Sequence, residues 1–96
     1  MAAPSQVEDF EPHVGKTFHF TASGHALTLQ RVDSDRAAPA GMRKPFILVF
    51  TGPPGPGYMR EGLLECLIED GQPFQIYVSP VQTFAADHQE YQAVFN

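Results

Sequence analysis

Cysteine and positive charge are scarce in this chain, and each of these two shortages removes a class of function. Cys66 is the single cysteine and there is no tryptophan. One thiol cannot close an intramolecular disulfide or build a cysteine-rich zinc site. Lysine and arginine number 6 against 11 aspartates and glutamates, a formal net charge of -5. A polyanion is repelled on average by such a surface, so nucleic acid is not an expected partner. Long apolar runs are missing too: Phe46 to Phe50 is the longest and is far too short to span a bilayer. The opening Met1-Ala2-Ala3-Pro4-Ser5-Gln6 has no basic residue and no apolar stretch before Glu8 and Asp9, so it does not read as a signal peptide. The expectation is a protein without membrane insertion, cytoplasmic or part of an assembly built without a signal peptide.

What is present is enough for one small core. The chain has 96 residues, 43% of them hydrophobic, a size that supports a single domain. Residues 1–6 have the composition of a flexible N-terminus, and 7–96 read as a single β domain. Val7-Glu8-Asp9-Phe10 fits either a helical turn or an opening strand, with Phe10 as the anchor and Pro12 ending the segment. In Val14-Gly15-Lys16-Thr17-Phe18-His19-Phe20, Val14, Lys16, Phe18 and Phe20 fall on one side and Gly15, Thr17 and His19 on the other. Aromatic residues at period two predict a half-buried strand. Thr21-Ala22-Ser23-Gly24 supplies a turn, and the next strand carries Leu27, Leu29 and Arg31 in phase, completing a hairpin.

Asp33 to Lys44 has no period and reads as an exposed loop. Pro45 to Phe50 is the central strand: Phe46, Leu48 and Phe50 share one face, Ile47, Val49 and Thr51 the other. With both faces largely apolar, the strand must be covered on both sides or closed into a barrel. Met59 to Asp70 is ambiguous. Leu63, Leu64, Leu67 and Ile68 have helical spacing, whereas Asp70-Gly71-Gln72-Pro73 is a turn leading into an alternating Phe74-Gln75-Ile76-Tyr77-Val78-Ser79. A hairpin from Leu63 through Val78 is preferred, because it supplies a strand to cover the central one. Pro80 is expected to close that strand, Thr83 to Gln89 to connect, and Tyr91, Ala93 and Phe95 to face inward from the last strand. The predicted fold is all-β: a small antiparallel β-barrel or sandwich of six to seven strands, with room for one short helix.

No constellation in the chain carries recognisable chemistry. His19 and His25 meet in the first hairpin, but His19 lies opposite the aromatic face and should point to solvent, so no metal site is expected. Cys66 sits among leucines as an inert core thiol. Ser23 beside His25 lacks the context of an activated nucleophile. The carboxylates are dispersed and read as a solvated surface. Neither catalytic residues nor a cofactor is predicted, and the expectation is a protein that is not an enzyme.

The feature left over is Gly52-Pro53-Pro54-Gly55-Pro56-Gly57. Glycine-rich loops bind phosphate by aiming backbone N–H groups at it, and three prolines remove three such donors. They provide instead a stiff apolar ridge that loses little entropy when something docks. Pro53, Pro54, Pro56, Tyr58 and Met59 are therefore the candidate partner-binding residues, with a rigid connector between strands as the plainer reading.

Several segments resemble a family of small uncharacterised bacterial domains. These are Phe10, Val14-Gly15-x-x-Phe18, Leu27-x-Leu29, Pro45-Phe46-x-Leu48-x-Phe50-x-Gly52-Pro53, Val78-x-Pro80-Val81 and Tyr91-x-Ala93-Val94-Phe95-Asn96. That resemblance implies an all-β domain encoded near phage-tail-collar-type proteins, with no catalytic motif to carry over. It implies extended segments on both sides of Gly71. The functional expectation is a non-enzymatic structural or protein-interaction module, an accessory of a phage-tail-like or filamentous bacterial assembly, binding a protein partner or itself. The alternative is a barrel binding a small apolar ligand between Phe18, Phe20, Phe46, Phe50, Phe74 and Tyr77. In a chain this short those rings are needed to fill the core, so a small-molecule ligand is the weaker expectation.

Overall fold

The structure is a computed structural model that describes residues 6–34, 45–55, 57–69, 71–82 and 86–95. A helical turn, α1 (Val7–Phe10), runs into a 3-10 turn at Glu11–His13, and six strands follow: β1 (Thr17–Phe20), β2 (Ala26–Ser34), β3 (Phe46–Gly52), β4 (Gly62–Ile68), β5 (Phe74–Val81) and β6 (Gln89–Phe95). They form a closed antiparallel barrel in the order β1-β2-β3-β6-β5-β4. The fold is all-β with one short helix, as the alternation of apolar residues predicts.

Closure explains why β3 is apolar throughout. It is paired along its length with β2 on one side and β6 on the other, so it is the best-covered strand of the barrel. Phe46, Leu48 and Phe50 point inward with 0–2% exposure. On the outer face Val49 is still buried, set in register between Arg31 and Gln92, whose long side chains can lie across it. Phe10, Phe18, Phe20, Phe46, Phe50 and Phe74 are all buried and pack ring against ring. Phe20 meets Phe50, Phe50 meets Phe18, Phe18 meets Phe74 and Phe74 meets Phe10, with centroids 5.0–6.3 Å apart. Phe46 stacks on Phe95 at 4.6 Å. The interior is thus filled with phenylalanine. Tyr77, expected among these rings, belongs to the outer face and is 53% exposed.

The hairpin from β4 to β5 replaces the helix that the leucine spacing also allowed. Leu63 pairs with Tyr77 and Cys66 with Phe74. Leucines at i, i+1, i+4 and i+5 put Leu64 and Ile68 on one strand face and Leu63 and Leu67 on the other, so two apolar strand faces together mimic a helical stripe. Three further details differ from the sequence reading. The register of β2 shifts between Leu29 and Arg31; this bulge sends Arg31 outward, where it pairs with Asp33 at 3.1 Å, and brings Val32 to the core. Val14 precedes β1 and is exposed. Pro80 lies within β5, opposite Tyr91. Pairing with β4 has already ended at Val78, so the missing N–H of Pro80 interrupts no bond there.

Val7–Phe10 resolves as helix. The Gln6 backbone N–H donates to Asp9 Oδ2 at 3.0 Å, and the Asp9 N–H donates to the Gln6 carbonyl at 2.9 Å. The turn delivers Phe10 to the end of the barrel, where its ring meets Phe46, Phe74 and Phe95.

Candidate functional site

The loop that follows β3 is exposed and anchored at once. β3 ends at Gly52 because Pro53 and Pro54 have no N–H to continue the ladder. Gly52 is also a point of close approach: a Cβ there would stand 2.5 Å from Leu27 Cδ2 and 3.3 Å from Tyr91 Cε1. Pro53, Pro54, Gly55 and Gly57 are exposed, Gly55 with a left-handed φ of 105°. Tyr58 is 48% exposed.

Met59 is a correction to the candidate set. It is 2% exposed and packs into the core cluster, so it anchors the loop from below and offers no surface to a partner. Apolar neighbours on one loop looked alike in sequence; only the return of the chain towards β4 separates Tyr58 above from Met59 beneath. Pro56 lies outside the described residues. The exposed set that remains is Pro53, Pro54 and Tyr58.

Two hydrogen bonds complete the anchoring. The Met59 N–H donates to the buried Tyr91 hydroxyl at 2.8 Å. His25 Nε2 lies 2.8 Å from the Gly57 carbonyl oxygen; a carbonyl only accepts, so Nε2 carries the hydrogen. Both partners are 32 residues away, one earlier in the chain and one later. Sequence reasoning missed both, having weighed His25 only as a ligand or base and Tyr91 only as a strand residue. Replacing Tyr91 by phenylalanine keeps the ring and strands a buried N–H; the expected loss is about 1–3 kcal/mol, measured as a fall in the urea midpoint.

Elsewhere the polar side chains form separate local contacts, such as His88 with Asp87 and Glu90. His19 points outward from β1, in register with Ala26 and Leu67. Ser23 Oγ accepts the backbone N–H of His25 at 3.3 Å. Cys66 is fully buried, and burial, helped by the nearby charge of Glu65, pushes its thiol up to about 12, so it stays protonated and unreactive at neutral pH. Glu61 accepts the Tyr77 hydroxyl, which holds that phenol above its ordinary value, with lesser contributions from desolvation and the carboxylate charge. Glu65 accepts from Thr21 Oγ1 at 3.0 Å. Among the described residues no three His, Cys, Asp or Glu side chains are grouped to hold a metal ion.

At the other end of β3 an open hollow of about 390 Å³ is lined by Asp33, Ser34, Pro45, Phe46, Ile47, Val94 and Phe95. Two of its lining residues, Phe46 and Phe95, are the rings that stack on each other. Among the described residues no helix is long and apolar enough to cross a membrane.

A sequence family described as a domain of unknown function (DUF6916) matches residues 5–95. No curated protein and no solved structure matches the chain.

Proposed function

The chain belongs to the DUF6916 family, and we propose that it is a non-enzymatic structural or protein-interaction module that docks a protein partner on the loop after β3. The observation that carries this reading is the combination of exposure and restraint at that loop. Pro53, Pro54 and Tyr58 face solvent, while Gly57 and Met59 are tied to His25, Tyr91 and the core. An end of the loop tied down at Gly57 and Met59 has less ordering entropy to lose on binding, and tyrosine and proline offer apolar contact with few rotatable bonds. The resemblance in Phe10, the Pro45 to Pro53 run and the closing strand supports an accessory role in a phage-tail-like or filamentous bacterial assembly. Assembly in the cytoplasm fits that role.

The runner-up, a small apolar ligand, has one observation in its favour: the hollow beside Phe46 and Phe95 has a volume in the usual range of about 300–1,000 Å³. The barrel interior does not favour it, because the rings proposed to line a cavity pack on one another.

The test is binding to purified proteins encoded beside this one, together with the oligomeric state in solution. Replacing Pro53 and Pro54 by alanine is expected to leave the fold intact, costing about 1 kcal/mol or less per site through the unfolded chain, while weakening partner binding about tenfold or more. Tyr58→Ala should act in the same direction. A protein that stays monomeric and binds none of its neighbours would refute the reading; binding that ignores the loop substitutions would return the loop to a connector.

A further inference from the structure

We infer that the free edge of β5 takes up an extended, basic segment of a partner protein as an added strand. A gap in the ladder sets the site. β5 pairs with β4 from Phe74 to Val78 but with β6 only at Ser79, Pro80 and Val81. Antiparallel residues alternate between pairs that exchange backbone hydrogen bonds and pairs that do not. Pro80 has no N–H to exchange with Tyr91, so Ser79–Gln92 and Val81–Glu90 are the bonded pairs. Two and four residues back from Ser79, Tyr77 and Gln75 aim their N–H and C=O groups the same way, while those of Phe74, Ile76 and Val78 turn to β4. In that register Tyr77 would meet Val94, and among the described residues the ladder does not reach so far. Unpaired donors and acceptors are left along one edge at the repeat of a strand.

Edges of this kind are ordinarily guarded by lysine, proline, a bulge or a covering element. Phe74-Gln75-Ile76-Tyr77-Val78 contains neither charge nor proline, and its pairing with β4 runs without a register shift. Phe10 closes the inner side, where its ring meets Phe74 and Phe95. The outer side is apolar and wet. Three of the five large apolar side chains that the described residues leave exposed, Leu63, Tyr77 and Val94, gather here: Leu63 stands beside Tyr77 in register, and Val94 lies on β6 across the gap. An added strand satisfies the backbone row and covers this lip at once, its main chain giving affinity and its alternate side chains specificity.

Charge decides what kind of strand fits. All six lysines and arginines lie in residues 16–60, whereas residues 61–96 carry Glu61, Glu65, Glu69, Asp70, Asp87 and Glu90. The wall of β4, β5 and β6 therefore holds carboxylates and no permanent cation. Two of those carboxylates flank the edge itself: Glu61 accepts the Tyr77 hydroxyl, and Glu65 is in register with Gln75. A second copy's β5 would bring the same acids with it. A partner strand with apolar residues at alternate positions and lysine or arginine between them complements both features, because the basic stems can lie along Tyr77 and Val94 while their heads reach the carboxylates. The edge is separate from the loop after β3 and stands whether or not that loop docks a partner.

Amide hydrogen exchange of the full chain, read by NMR and corrected for intrinsic rates, tests this with a synthetic extended peptide that alternates valine with lysine. In the free protein the Gln75 and Tyr77 amides are expected to exchange faster than those of Ile76 and Val78, and the peptide should slow both several-fold. Methylating the peptide on alternate backbone nitrogens leaves its charge but removes the donors that face β5, and should abolish the effect; glutamate in place of lysine, or raised salt, should weaken it. Tyr77→Pro deletes one donor of the edge without touching the pairing with β4 and should lower the affinity. The methylated peptide uses the native protein, so a variant that fails to fold does not spoil the test. Pro53→Ala combined with Pro54→Ala should leave uptake unchanged, whereas uptake lost in that variant would move the binding to the loop and overturn the inference. Gln75 and Tyr77 amides already as protected as their neighbours in the free monomer, or peptide binding that leaves both unchanged or survives methylation in either alternation, would overturn it too. A dimer in sedimentation that itself protects them would assign the edge to a second copy and reject the basic partner.

Discussion

Phe10→Ala is expected to destabilise the protein by about 3–5 kcal/mol, a large share of the roughly 5–15 kcal/mol available to a domain of this size. Phe10 is fully buried, and its ring centroid lies 5.8, 6.3 and 5.2 Å from those of Phe46, Phe74 and Phe95. Those three come from β3, β5 and β6. The β5–β6 ladder stops at Ser79 and Gln92, so Phe74 and Phe95 lie in parts of β5 and β6 that do not pair with each other. There Phe10 does by packing what the ladder does higher up. The effect should also be directional. A helical turn of four residues has no stability of its own, so α1 persists only while its phenylalanine is seated. Urea denaturation should show the lower midpoint, and amides of residues 7–13 should lose exchange protection before those of β3. A loss below about 1 kcal/mol would show that the ring contacts are not a cavity-forming part of the core.

The barrel was legible because its strands alternate cleanly. Phe18 and Phe20, Leu27 and Leu29, Phe46 to Phe50, and Tyr91 to Phe95 each announce an inward face, and closure follows from the two apolar faces of β3. What misled was any feature decided by register. The bulge after Leu29 shifts Arg31 and Val32 by one position, and nothing local in Leu29-Gln30-Arg31-Val32 marks it. The leucines of β4 imitate a helix because Leu63 and Leu67 remain apolar on the outside. Pro80 was read as a strand end, yet a strand tolerates proline wherever its neighbour has already stopped.

The candidate site was legible to a different depth. The end of β3 at Pro53 follows from covalent chemistry, since a strand paired on both sides has no place for a residue without an N–H. Restraint of the loop does not, because it depends on Tyr91 and His25, which the fold brings from both sides of the sequence. The same holds for the opposite orientations of Tyr58 and Met59. Local pattern predicts which residues cannot pair; only the closed barrel determines what holds them.

Phe50→Ala tests the barrel itself, and its effect should match or exceed that of Phe10→Ala, at about 3–5 kcal/mol. The ring is fully buried and makes edge-on contacts with Phe18 at 5.0 Å and Phe20 at 6.3 Å, pairs worth about 0.5–1.5 kcal/mol each beyond the area they bury. Its backbone is held on both sides, by Leu29 of β2 and Tyr91 of β6, so β3 cannot slide to fill the space left behind. That restraint separates it from Phe10, whose flanking turn is free to detach and let water reach the void. Phe50→Ala should therefore keep a full denaturant slope while the midpoint falls, and should weaken exchange protection in β2, β3 and β6 together. Phe50→Leu, which retains most of the volume, should recover a substantial part of the loss. Protection lost in β3 alone would mean that the three strands do not share one cooperative core.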